Sequence, residues 1–124
     1  MAAVRSTGNK ATELKLAAIL RMHDIQGWRR HQQLPGKPDF AFRREHLAMF
    51  VDGCFWHGCR WHLRMPKGNR EYWQRKIARN VERDRETNRL LREAGWRVLR
   101  VWEHSLRAPE TVVGRIKSKL SAER

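Results

Sequence analysis

Apolar residues recur along this chain with two periods, and each switch between them marks the edge of a predicted element. Thr12 is positioned as an N-cap for a helix running to about Asp24, with Glu13, Leu16, Ala17 and Leu20 on one face. An acid on an apolar stripe is unusual, and its plainer reading is a first-turn Glu favoured by the helix dipole. Gln26-Gly27 ends this helix, and Trp28 to His31 predicts a short strand. Two prolines and a glycine make Leu34-Pro35-Gly36-Lys37-Pro38 a turn. Asp39 to Phe42 then predicts a strand, Arg43 to His46 a polar hairpin turn, and Leu47 to Val51 a second apolar strand.

After a loop at Pro66 to Asn69, a long helix is predicted from Arg70 to Ala94. Trp73, Ile77, Val81, Asp84 and Leu91 fall at helical spacing on it, and Gly95 stops it. Trp96 to Glu103 alternates as a strand, Leu99 and Val101 facing one way, Val98 and Trp102 the other. Pro109 opens a final amphipathic helix with Val112, Val113, Ile116 and Leu120. The order α-β-β-β-α-β-α predicts an α/β sandwich with a mixed sheet covered by helices on both faces.

Length adds one constraint: 124 residues make a single domain with a substantial core. Residues 1–11 are polar, basic and without periodicity, which predicts a flexible arm ahead of one domain over residues 12–124. Charge adds a partner. Twenty-seven Lys and Arg against 13 Asp and Glu leave a net +14, spread through the whole chain. A polyanion is the expected partner, with nucleic acid ahead of an anionic membrane surface, because no helix sets a clean basic face against a broad apolar one. Composition alone leaves open a generic basic protein, such as a ribosome-associated one. No apolar run is long enough to span a membrane, and no signal-peptide core opens the chain. The expected compartment is the reducing cytoplasm, with association to the nucleoid, where two cysteines are thiols or metal ligands.

Three groups of residues carry candidate chemistry. Asp39 opens one strand and Asp52 closes the next. As hairpin partners they would bring two carboxylates to one end of the sheet, a donor set suited to Mg²⁺, which activates water against a phosphodiester. Spacing alone favours the plainer reading of strand-end acids capping turns. The stretch GCFWHGCRWH, Gly53 to His62, holds both cysteines. Cys54, Cys59 and His62, with the distant His104, form a Cys₂His₂ set suited to a closed structural zinc site. His57 is a rival ligand, and buried reduced cysteines beside surface histidines are the alternative. Phe55, Trp56, Trp61 and Trp73 lie among basic residues, as aromatics that stack on bases do. Trp28, Trp96 and Trp102 are expected to fill the core.

Taken together, LPGKPDF, FVDGCFWHGC, REYWQRKIARNVERDR and GWRVLRVWEHSL resemble the very short patch repair (Vsr) endonucleases, over about Asn9 to Leu106. Members of that family have the PD-(D/E)xK restriction-endonuclease-like fold, a three-layer sandwich, and nick double-stranded DNA beside T:G mismatches. The resemblance implies that Asp39 binds magnesium and that His57 assists the attacking water. It places Glu13 as a supporting acid and Cys54, Cys59 and His62 as zinc ligands, with His104 where the family carries Cys. It assigns Phe55, Trp56 and Trp73 to insertion into mismatched DNA. One departure matters: the family's Thr-His pair before GCFW reads Val51-Asp52 here. The Val51 carbonyl can still meet the metal, while Asp52 adds a carboxylate and moves the site towards a two-acid magnesium centre.

The expectation is therefore a monomeric Mg²⁺-dependent nicking endonuclease with a structural zinc, and mismatch-repair proteins are candidate partners. Two other classes remain at this point. A zinc-stapled module would bind DNA without cutting it, and a nuclease of a mobile element or defence system would cut without mismatch preference.

Overall fold

A computed structural model of the chain describes residues 10–53 and 68–121. Its elements are α1 (Lys10–Met22), β1 (Trp28–Arg30), β2 (Phe40–Phe42), β3 (Leu47–Asp52), α2 (Arg70–Glu93), β4 (Arg97–Trp102), a 3-10 turn (Glu103–Arg107) and α3 (Pro109–Ser121). The order is the one the hydrophobic pattern predicts, with small shifts at the ends. Helix α1 begins at Lys10, so Thr12 lies inside its first turn instead of capping it. Strand β1 stops at Arg30 because His31 takes a left-handed backbone, φ 55°, which cannot continue an extended ladder. Strand β4 covers Arg97–Trp102, and Glu103 and His104 fall on the 3-10 turn after it.

The four strands lie in the order β1-β2-β3-β4. β1 and β2 pair antiparallel, as do β2 and β3, where Phe42 faces Leu47 and Phe40 faces Met49. β3 and β4 run parallel from Leu47 opposite Arg97 to Asp52 opposite Trp102, and α2 provides the crossover that a parallel pair requires. β3 is central and buried at all six positions, which is why it reads as a continuous apolar run.

Alternation along the strands divides the core into two layers. Phe40, Phe42, Leu47, Met49, Val51, Leu99 and Val101 pack with Leu16 and Leu20 of α1 and with Val112, Val113 and Ile116 of α3. On the other face Ala41, Ala48 and Phe50 pack with Leu91 and Trp96. The result is the expected three-layer α/β sandwich. Outward positions of α2 carry ion pairs such as Arg85–Glu82 at 3.6 Å, which contribute little to stability. Among the described residues no helix is long and apolar enough to cross a membrane.

The proline-rich turn is packed against α2 at one glycine. Gly36 has φ +74°, and a Cβ there would stand 2.1 Å from Cγ2 of Thr87. Gly36→Ala is expected to lower stability by about 1–3 kcal/mol through the combined clash and positive φ. Adding Thr87→Ala should recover the clash component and leave the backbone component. Urea midpoints measure both, and an unchanged midpoint for Gly36→Ala would show that the turn does not seat on α2.

Candidate active site

The hairpin register carries two acids to one end of the sheet. Phe40 stands opposite Met49, so Asp39, one residue earlier, meets the last residues of β3. There Asp39 Oδ2 accepts the Val51 backbone N–H at 2.7 Å. Asp52 closes β3 directly after. Both carboxyl groups are buried, each residue only 4% exposed. The turn-capping reading of these acids thus gives way to an inward placement: Asp39 bonds across the hairpin, not within its own turn.

Glu13 is the third acid, 2% exposed on α1. It accepts a hydrogen bond from Arg30 Nη2 at 3.3 Å, and His31 Nε2 lies 3.5 Å away. Glu13 does lie in the first turn of α1, and its carboxylate is at the same time the buried partner of β1's arginine.

Burial raises the Asp39 carboxyl from the ordinary value of 3.8 to about 7. The Val51 N–H opposes this by stabilising the anion, Glu13 and Asp52 add to it as like charges, and Arg100 opposes it. The end of the sheet is therefore a place where negative charge is concentrated and costly, and where an added cation would be favoured. Two carboxylates and a backbone carbonyl suit magnesium, which takes few protein ligands and keeps several waters. Among the described residues no three His, Cys, Asp or Glu side chains are grouped to hold a metal ion by themselves. A centre at Asp39, Asp52 and the Val51 carbonyl would accordingly lean on water for the remaining ligands.

Sequence reasoning missed the cation at this site. Arg100 of β4 donates from Nη1 to Asp52 Oδ1 at 2.8 Å and from Nε to Asn88 Oδ1 at 2.9 Å. Asp84 Oδ1 lies 3.6 Å from the same Nη1. The signals were present, an Arg among the α2-facing residues of an alternating strand and an Asp on the apolar stripe of α2. Neither says that the two meet. Asn80, also on α2, is 4% exposed, and its Nδ2 has no hydrogen-bond partner among the described residues.

Cys54, Phe55, Trp56, His57, Cys59 and His62 lie outside the described residues, as does Trp61. Their flanks are described. Gly53 is placed so that a Cβ would come 4.0 Å from Glu103 Oε1, beside the turn that carries His104. The His104 ring stacks on Trp102, centroids 6.4 Å apart. Trp102 is therefore half-buried at the rim and not in the core as expected, whereas Trp96 is a core residue and Trp28 packs against the core. Trp73 lies in the first turn of α2, partly exposed, with Tyr72 edge-on at 5.1 Å.

Known proteins resemble this chain over most of its length. The family described as DNA mismatch endonuclease Vsr matches residues 1–63. The chain is 59% identical over 68 residues to the type II nicking enzyme V.NaeI of Lentzea aerocolonigenes, covering 55% of this chain and 41% of that enzyme. It is 42% identical over 104 residues to the type II nicking enzyme V.NmeDIP of Neisseria meningitidis serogroup C, covering 82% and 70%. It is 41% identical over 106 residues to the DNA mismatch endonuclease Vsr of Escherichia coli K12, covering 85% and 68%.

Proposed function

This chain belongs to the Vsr family of DNA mismatch endonucleases and is a DNA endonuclease; we propose that it nicks one strand of duplex DNA, with magnesium as cofactor, beside T:G mismatches. The observation that carries the magnesium reading is the juncture of Asp39 with the end of β3, where Asp39 accepts the Val51 N–H and the buried Asp52 acts on it as a like charge.

Each residue has a separable task in this reading. The Val51 N–H fixes the Asp39 carboxylate, so that its remaining lone pairs are aimed before substrate arrives. Asp39, Asp52 and the Val51 carbonyl would hold magnesium. When bound, that ion supplies charge against the scissile phosphate and a more acidic water. Glu13, held by Arg30, adds negative charge behind Asp39. His57 follows β3 by five positions, and its imidazole is suited to accept the proton of the attacking water.

A structural zinc completes the proposal. The parallel register puts Asp52 beside Trp102, and Cys54 and His104 each follow by two residues. That neighbourhood of the two strand ends supports a zinc held by Cys54, Cys59, His62 and His104 that would tie the segment after β3 to the turn after β4. His104→Ala should release zinc and lower the melting temperature. A wild-type protein that is folded and free of zinc would remove this site.

Phe55, Trp56 and Trp73 would wedge into the mismatched base step, with Arg and Lys on the phosphates and the protein acting as a monomer in the cytoplasm. DNA affinity should then fall steeply with salt, by roughly 10³-fold or more between 50 and 200 mM if six or more phosphates are neutralised. A flat dependence would count against phosphate-driven binding. The deciding experiment compares nicking of matched and T:G duplexes with Mg²⁺. Equal rates would favour a nuclease without mismatch specificity. Binding without any cleavage would leave only a DNA-binding module.

A further inference from the structure

Arg100 is the meeting point of three elements. It stands opposite Phe50 on β3, with its guanidinium carbon 4.1 Å from that ring's centre. Its side chain is 18% exposed, and its contacts run to Asp52 of β3 and to Asp84 and Asn88 of α2. Neighbouring positions on this face, Ala41, Ala48 and Trp96, belong to an apolar cluster with Phe50 and Leu91. A charge set beside that apolar cluster, and within 2.8 Å of Asp52, calls for a reason in the site.

The reason lies in the number of cations the acids can take. Asp39, Asp52 and Glu13 converge electrostatically, and Asp84 adjoins them through Arg100. Arg30 is occupied by Glu13. Building on the magnesium reading above, we propose that Arg100 is a positioning residue that fixes Asp52 and serves as a resident cation, so that this end of the sheet binds one divalent ion and not two. An oxygen that accepts a guanidinium N–H at 2.8 Å has that direction filled. A second dication near Asp52 and Asp84 would also meet a fixed positive charge in partly desolvated surroundings, where repulsion is weakly screened.

Manganese reports the count directly. Mn²⁺ titration of the zinc-loaded full chain, followed by the electron paramagnetic resonance of free Mn²⁺, should find one tight ion per chain. Arg100→Gln keeps a hydrogen-bond donor and removes the charge. It should bind a second Mn²⁺, or bind the first about tenfold more tightly, whereas Arg100→Lys should return the wild-type count and affinity. Two ions on the wild type overturn the proposal while leaving the magnesium reading intact. Unchanged count and affinity in Arg100→Gln overturn it as well. No Mn²⁺ on the wild type removes the magnesium reading and the proposal with it. Should Arg100→Gln fail to fold, the wild-type count still decides.

Discussion

Asp39→Asn is expected to abolish Mg²⁺-dependent nicking and, in the same preparation, to be more stable than the wild type at pH 8. The two effects share one cause. Asp39 is buried beside Glu13 and Asp52, and only the Val51 N–H and Arg100 favour its ionised form. Its carboxyl is therefore held at about 7 instead of 3.8. Because the folded value is the higher one, folding favours the protonated acid. That contribution is complete below pH 3.8 and is lost as pH rises through 7. At pH 8 the ionised carboxylate costs the metal-free wild type up to about 4 kcal/mol relative to its protonated form. Asparagine has no such titration, and its amide oxygen can still accept the Val51 N–H. The stability advantage of Asp39→Asn should thus grow between pH 4 and pH 7 and then level off.

Magnesium should act in the opposite sense. A dication favours ionised Asp39, so saturating Mg²⁺ should raise the melting temperature of the wild type more at pH 8 than at pH 5.5, and leave Asp39→Asn unmoved. Thermal melts with and without Mg²⁺ at the two pH values, beside a nicking assay, separate the possibilities. Retained nicking in Asp39→Asn would sink the metal assignment. A variant that is inactive and also less stable at pH 8 would mean that Asp39 serves the fold first.

The elements of the fold were legible because burial and period coincide in them. Leu99 and Val101 face the α1–α3 layer as the alternation requires, and the all-apolar β3 lies in the middle of the sheet. Ends were less legible where a single residue's backbone decided them. His31 reads as a strand residue by composition, but its positive φ ends β1. The site was legible in part. Asp39 and Asp52 were found from their strand-end positions, yet nothing local says that Asp39 bonds across the hairpin to Val51. Glu13 stood out as an acid on an apolar stripe, and its partner Arg30 lies 17 positions away. Arg100 and Asp52 are 48 apart and meet only because β3 and β4 are parallel neighbours. Pairings of this kind follow from topology, which periodicity does not encode.

That last pair yields the second large effect. Asp52→Asn should destabilise the protein by about 2–4 kcal/mol, because it leaves a largely buried guanidinium without its nearest anion. The lower end reflects what Arg100 keeps: Asp84 at 3.6 Å and the Asn88 amide oxygen at 2.9 Å. Asp52→His, which installs the residue of the family's Thr-His pattern, should cost at least as much, since an imidazole offers Arg100 no anion. Combining Asp52→Asn with Arg100→Gln should cost less than the two single losses added together, by about 1 kcal/mol or more, as expected for groups in one network. An exposed pair supplies the contrast: Arg85→Ala, 3.6 Å from Glu82, should change stability by no more than about 0.5 kcal/mol. Urea denaturation of these variants checks the set. If Asp52→Asn and Arg100→Gln are additive, the pair is not coupled, and Asp52 is then an independent carboxylate at this end of the sheet. If they couple, the charge of Asp52 is answered from the neighbouring strand by Arg100, and the two act as one unit.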